Sequence, residues 1–269
     1  MFQRCFFLTV VLLMSTDVAA RSQVRWRETQ KSSFIISTWN IGHFANGKKN
    51  HSLINPKNYQ KKLGLYQRLL TDSIRADIVC INEYSKVFGI DNNQRERQTK
   101  RLLFDSYKSK KEGRLVGFSC NSIFSNIRIR NTKERLFRSS EPFIKETPRA
   151  ANYYYLTSDL YVDGKRIKLV CAHTTSGAIK ICRAQIKELI EEFAAYDRVI
   201  MCGDWNTTNF SQFKKAGYSL ANNGSLITFP SKSYALDNIA VKGFCIDDVR
   251  VIKTNLSDHY PLVCRLIVK

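Results

Sequence analysis

The chain has 269 residues, 43% of them hydrophobic, and 43 Lys and Arg against 23 Asp and Glu give it a formal net charge of +20. That hydrophobic content excludes wholesale disorder, and none of the eight cysteines falls in the paired steps of a zinc finger or ribbon. The basic excess favours polyanionic partners, nucleic acid first, and would also attract an anionic membrane surface.

Arg4 precedes an apolar run from Cys5 to Met14, a polar step at Ser15 to Asp17, and then Val18-Ala19-Ala20. This is the layout of a secretory signal peptide over 1–20, cleaved after Ala20, and the run is too short to cross a bilayer about 30 Å thick. An uncleaved anchor is the alternative. Export to the periplasm or the extracellular space is therefore expected. Residues 21–33 form a basic leader without periodicity, and 34–269 should be one folded domain. The seven cysteines beyond the signal are an odd number, which argues against a complete disulfide framework.

Phe34 to Asn40 is β-branched and apolar, as a buried strand should be. Pro56 opens a segment in which Tyr59, Leu63, Tyr66, Leu70 and Ile74 recur at helical spacing. A second buried strand runs from Asp77 to Asn82 and ends at Glu83. A short helix is expected near Arg95 to Tyr107, then strands at Leu115 to Phe124, Ala151 to Val162 and Ile167 to Ala172, with a hairpin signal at Asp163-Gly164. Ile181 to Tyr196 has helical periodicity. Further strands are expected at Val199 to Cys202, Leu226 to Phe229, Tyr234 to Val241, Val249 to Ile252 and Leu262 to Val268. Strands outnumber helices, and helices separate only some of them, so two mixed sheets face to face with outer helices fit best. From Lys86 to Lys145 there are 15 basic and 6 acidic residues.

Five strand ends finish in polar or ionisable residues: Asn40, Glu83, His173, Asp204 with Asn206, and Asp258 with His259. Singly each has a structural explanation, such as a turn cap for Asn40 or Asp204 or a satisfied core position for His173. Jointly, Gly203-Asp204-Trp205-Asn206 after a strand and Ser257-Asp258-His259 near the C-terminus are a specific pair of patterns.

With Thr38-Trp39-Asn40-Ile41, Ile81-Asn82-Glu83, Pro148-Arg149-Ala150, Ala172-His173-Thr174 and Leu236-Asp237-Asn238-Ile239, these patterns make the chain resemble the endonuclease/exonuclease/phosphatase superfamily. The resemblance covers nearly all of the chain beyond the signal, departing at Asn82, where Gln is more usual, and at Trp205, where Phe is. It implies an α/β fold, a four-layer α/β/β/α sandwich, and a monomeric metal-dependent phosphoester hydrolase. Glu83 and Asp258, with Asn40, offer hard oxygen ligands for Mg²⁺ or Mn²⁺. His259 is the general base, expected near an ordinary imidazole pKa of about 6.5. The resemblance implies that Asp237 fixes the His259 tautomer, that Asp204 and Asn206 orient water and phosphate, and that His173 contacts the phosphate or protonates the leaving oxygen. Arg149 would hold a phosphate oxygen. The charge points to a secreted nuclease. A phosphatase or sphingomyelinase acting on inositol phosphates or phospholipids is the alternative, and a non-catalytic polyanion-binding domain is a further one.

Overall fold

The computed structural model describes residues 33–42, 64–66, 68–87, 96–98, 103–109, 113–141 and 153–269. The signal segment 1–20, the leader up to residue 32, the opening of the Pro56 helix, the Pro148-Arg149-Ala150 motif and the side chains at 85–120 lie outside what is described.

One sheet is built from β1 (Ser33–Asn40), β2 (Ile78–Val87), β3 (Glu96–Gln98), β4 (Leu103–Ser109), β5 (Gly113–Ser125), β12 (Phe244–Val251) and β13 (Leu262–Val268). Its order is β12-β13-β1-β2-β5-β3, with β4 also paired to β5. The other contains β6 (Ile129–Leu136), β7 (Tyr154–Val162), β8 (Lys165–His173), β9 (Val199–Asp204), β10 (Ser219–Leu220) and β11 (Asp237–Lys242), in the order β10-β11-β9-β8-β7-β6. Each sheet holds one parallel pair, β1 with β2 and β8 with β9, among antiparallel neighbours.

Side chains alternate between the two faces of a strand, and burial follows that period. Phe34, Ile36, Ile78 and Cys80 of the first sheet meet Leu169, Cys171, Ile200 and Cys202 of the second in the central core. The intervening residues Trp39, Val79, Ile81 and Val263 pack outward against Tyr66 and Ile74 of the helical segment that ends at Leu69–Ile74. On the second sheet, Tyr155, Val170, Ala172 and Met201 pack outward against Cys182, Ile186 and Leu189 of α1 (Ile179–Glu192). Helix, sheet, sheet and helix make four layers.

Several local expectations change. Arg95 to Tyr107 contains β3 and the start of β4, so pairing with β5 overrides local helix preference. Leu226 to Phe229 is irregular apart from a bridge from Phe229 to Tyr234. There the Asn222 side chain takes the backbone N–H groups of Gly224 and Leu226, competing with a ladder. β11 starts at Asp237, three residues later than expected. β6 and the short helix α2 (Ser211–Lys215) were not anticipated. The cysteines Cys80, Cys171, Cys202 and Cys264 are buried free thiols, and the described residues contain no disulfide.

Gly203 pairs with Ala172 between β9 and β8, and a Cβ there would lie 1.7 Å from the Ala172 carbonyl oxygen. Gly203→Ala therefore forces apart the parallel pair that precedes His173 and Asp204. We expect a loss of roughly 3 kcal/mol or more, read as a drop in urea midpoint; an unchanged midpoint would disprove the close approach.

Candidate functional site

The inward row of each central strand runs out of the core into a polar group. Phe34 and Ile36 lead to Asn40, Ile78 and Cys80 to Asn82, Leu169 and Cys171 to His173, and Ile200 and Cys202 to Asp204. β11 enters from the same end, with Asp237 two residues before core Ile239. In register, His173 pairs with Asp204 and Asp204 with Asp237, so three ionisable residues stand side by side across β8, β9 and β11. Asn40 pairs with Asn82 on the facing sheet.

Glu83 follows Asn82 and would face the outer helix if β2 alternated normally. Instead the register with β5 shifts between Ile81 and Tyr84, and Glu83 takes a left-handed backbone with φ 52°. Such bulges re-aim side chains, and here Glu83 Oε1 comes within 4.0 Å of His173 Nε2. The loop carrying His259 is fastened to β1: Ser257 Oγ donates to the Asn40 carbonyl at 2.7 Å, and Trp39 Nε1 donates to the His259 carbonyl at 3.0 Å.

These constraints bring Asn40, Glu83, His173, Asp204, Asn206, Asp237 and His259 into one continuous network. His259 Nδ1 lies 2.7 Å from Asp237 Oδ2. Asp204 Oδ2 is 3.6 Å from His259 Nε2 and 3.6 Å from His173 Nε2, and accepts a 3.0 Å bond from Asn40 Nδ2. Asn206, at φ 45°, donates its backbone N–H to Asp204 Oδ1 and its amide to the Thr174 carbonyl. Asp258 is exposed beside this network, its Oδ1 3.0 Å from where a Cβ on Gly42 would stand, and the Gly42 N–H donates to Asn40 Oδ1.

Burial pushes the His259 imidazole down, but Asp237 and Asp204 beside it outweigh that effect and raise its pKa to about 10. This corrects the expectation of an ordinary imidazole: without a bound cation, His259 carries both protons at neutral pH. Burial raises the Asp237 carboxyl more than His259 lowers it. For Asp204, burial also works upward, but His259, His173, Asn206 and Asn40 together bring the carboxyl below its usual range.

Asp204, Asp237 and His259 each offer a ligand atom within 4.8 Å of the others. Because Asp237 and His259 already spend those atoms on each other, the trio fits a proton relay better than a cation cradle. Glu83, Asp258 and Asn40 carry the hard oxygens that could hold a cation instead. Asp258 Oδ1 projects into the space beside Gly42, which a side chain there would fill.

Sequence reasoning missed the groups that position these residues. Asn82 Oδ1 accepts from the Asp204 backbone N–H, and its amide donates to Asn121 Oδ1 and the Ala172 carbonyl. Thr228 Oγ1 accepts from the backbone of Leu236 and Asp237, and Phe229 packs on the His259 ring with centroids 4.7 Å apart. The inward period of β2 could have singled out Asn82; no sequence signal marked Thr228.

No family model matches the sequence, and no curated protein matches it. Solved structures do match its fold. An endonuclease/exonuclease/phosphatase from Beutenbergia cavernae superposes with a TM-score of 0.64 at 14% identity, over 88% of this chain and 72% of that one. The human Nocturnin catalytic domain with bound sulfate gives 0.58 at 19% identity, over 89% and 96%. D. rerio TDP2 complexed with a single-strand DNA product gives 0.58 at 12% identity, over 88% and 99%. The chain thus has the α/β sandwich fold of endonuclease/exonuclease/phosphatase proteins.

Two measurements test the network. In EDTA, His259 favours the folded state fully below about pH 6.5, where the unfolded imidazole is also protonated. That contribution is lost as pH rises towards about 10, so stability should fall across this window, and Asp237→Asn should flatten the slope. An identical slope in the variant would contradict the assignment. Asn82→Ala strands the buried Asp204 N–H and should cost about 1–3 kcal/mol, measured by urea unfolding against the wild type.

Proposed function

We propose that the chain is a divalent-cation-dependent phosphoester hydrolase, and that its substrate is nucleic acid. The observation that carries this reading is the 2.7 Å His259–Asp237 contact opposite Asp204, whose Oδ2 stands 3.6 Å from each of two imidazoles. Pure binding does not need a carboxylate-oriented imidazole, a second imidazole and a hard-oxygen donor set in one mouth.

Glu83, Asp258 and Asn40 would hold Mg²⁺ or Mn²⁺. When bound, the ion supplies Lewis acidity toward a phosphoryl oxygen and a positive field that opposes the carboxylates' hold on the His259 proton. With Nδ1–H committed to Asp237, the neutral His259 ring presents its Nε2 lone pair to a water, which it can deprotonate. Asp204 accepts the other water hydrogen and sets its orientation. Asn206 keeps Asp204 in place through its backbone N–H. His173 donates from Nε2 to a phosphoryl or leaving oxygen. Its Nδ1 is buried without a hydrogen-bond partner, and a proton can sit on Nε2 without disturbing a bond there. Arg149 is proposed as a further phosphate contact.

The +20 charge and the likeness in fold to TDP2, seen with a single-strand DNA product, support nucleic acid over inositol phosphates or phospholipids. The signal-like segment at 1–20 supports export to the periplasm or beyond; secreted protein beginning at Arg21 would establish it.

The test is hydrolysis of plasmid DNA, RNA, bis-p-nitrophenyl phosphate and phospholipid vesicles with Mg²⁺, Mn²⁺ or EDTA. We expect nucleic-acid cleavage that EDTA abolishes, a kcat lowered about 10²–10⁴-fold in His259→Ala, and a raised Mg²⁺ requirement in Glu83→Gln. Cleavage that persists in EDTA or in His259→Ala defeats the mechanism, and turnover of vesicles alone defeats the substrate.

A further inference from the structure

β6 is the edge strand of the second sheet, and its sequence Ile129–Leu136 contains Arg130, Lys133 and Arg135. Strict alternation would send Arg130 to one face and Lys133 and Arg135 to the other, because 130 and 133 differ by an odd number. The register shows otherwise. Arg130 lies opposite Asp159, Lys133 opposite Thr157 and Arg135 opposite Tyr155, with a shift between Arg130 and Lys133. Asp159, Thr157 and Tyr155 alternate along β7, and Tyr155 packs on the outer face against α1. The extra residue therefore gathers all three cations onto the outer face.

The bulge is built at Asn131, which adopts φ 52° and donates from Nδ2 to Asp159 Oδ2 at 2.7 Å. Thr132, on its other side, bonds Ser158 Oγ at 2.9 Å. Glu134, the one acid on the strand, lies opposite Leu156, a residue of the central core, and so belongs to the inner face. Arg130, Lys133 and Arg135 are all exposed. Among the described residues none of them pairs with a carboxylate, since Asp159 is engaged by Lys168 at 2.6 Å and Arg166 at 2.9 Å. Charged edge strands commonly serve only to discourage pairing with other chains. That purpose needs cations but no strained residue that aligns them on one face.

The row leads toward the catalytic mouth. β6 runs antiparallel to β7 and its Leu136 end lies opposite Tyr154, while Tyr155 pairs with Ala172, the neighbour of His173. Beyond it, exposed Arg138 follows, with its backbone N–H bound to Glu188 of α1, and exposed Lys180, Arg183 and Lys187 lie on that same helix. We infer that Arg130, Lys133 and Arg135 on the outer face of β6 form an auxiliary contact surface for the sugar-phosphate backbone of a nucleic-acid strand, outside the catalytic mouth. Adjacent same-face residues on a strand stand about 7 Å apart at ~3.4 Å rise per residue, a spacing at which extended arginine and lysine side chains reach successive phosphates of a flexible strand. Tyr161, the exposed aromatic of this face, lies with its ring 5.8 Å from the Arg130 guanidinium, so a stacked base would extend an existing cation–π pair. A lipid surface would call for an apolar patch to insert, and the β6 stripe exposes none.

This surface deepens the nucleic-acid reading but does not depend on catalysis, so binding is measured separately, on the His259→Ala background in EDTA. The probes are a 30-nucleotide single strand and phosphatidylserine vesicles, titrated from 50 to 300 mM salt. Arg130→Gln/Lys133→Gln/Arg135→Gln should raise the oligonucleotide Kd on the order of tenfold or more and reduce the salt slope by about 2, at ~0.7 per phosphate contact on a single strand. Each single exchange should give part of the effect, and Arg265→Gln, exposed on the first sheet, none. In the otherwise wild-type enzyme the triple exchange should raise KM for the oligonucleotide and leave turnover of bis-p-nitrophenyl phosphate unchanged. Unfolding midpoints confirm that these exposed exchanges leave the fold intact. An unchanged Kd and slope overturn the inference, as does a loss confined to vesicle binding. Oligonucleotide binding through the stripe without hydrolysis of any ester would refute the catalytic proposal alone; His259-dependent cleavage with an indifferent triple variant would refute the stripe alone.

Discussion

The structure depends on a constraint with a period of two. A strand buried between two sheets must point every second side chain into the shared core, and here those inward rows end in Asn40, Asn82, His173 and Asp204, with Asp237 entering from the opposite direction. A one-residue slip in any of these strands would exchange its core-facing and helix-facing rows and turn its polar end group away at the same stroke. The register that holds the core therefore also holds the mouth. The hydrophobic burial of Ile36, Cys80, Cys171, Ile200 and Ile239 thus also restrains the polar groups at the ends of their strands.

Two departures from that period carry as much meaning as the rule. Glu83 and Asn131 each occupy a left-handed backbone region at a register shift, which for a residue with a side chain costs of order 1–3 kcal/mol. Both are held by amide side chains in the bulge. Asn82, immediately before Glu83, is fully buried and bonded on both sides of the sandwich, to Asn121, Ala172 and Asp204. Asn131 is bonded to Asp159. The first bulge turns a carboxylate toward His173, and the second aligns three cations on an edge. An amide suits this task because it offers two donors and an acceptor in one rigid plane.

The parts of the fold legible in the sequence were those written in apolar period. Phe34 to Asn40, Ile167 to Ala172, Val199 to Cys202 and Leu262 to Val268 announce buried strands, and the polar residues that end them announce a shared rim. β6 was hidden because an edge strand with one buried residue in its first five, Ile129 followed by Arg130, Asn131, Thr132 and Lys133, lacks a hydrophobic pattern. Leu226 to Phe229 misled for the opposite reason: it is apolar enough for a strand, but Asn222 holds the Leu226 N–H and carbonyl, and the N–H groups of Thr228 and Phe229 both turn to the Tyr234 carbonyl. The residues that end the strands at this rim could be picked out one by one, whereas their electrostatics could not. Nothing in Ser257-Asp258-His259 discloses that Asp204, 55 positions earlier by the numbering, comes within 3.6 Å of the imidazole and helps lift its pKa out of the neutral range.

That electrostatic result bears on how a phosphate could enter. The chain is strongly positive as a whole, yet its mouth collects Glu83, Asp204, Asp237 and Asp258 around two imidazoles. Four carboxylates there face two imidazoles, and a phosphodiester would bring further negative charge. Cations on the surface, such as those of β6, attract the polyanion over distances up to about 10 Å at ordinary salt, but they do not neutralise the throat. On the proposed reading, a phosphate is admitted only when positive charge is placed among the carboxylates. The same charge must relieve the pull of Asp237 and Asp204 on the His259 proton before Nε2 can accept one from water. On the proposed reading, a single requirement, cation occupancy beside Glu83 and Asp258, thus governs both admission of the phosphate and the readiness of the base.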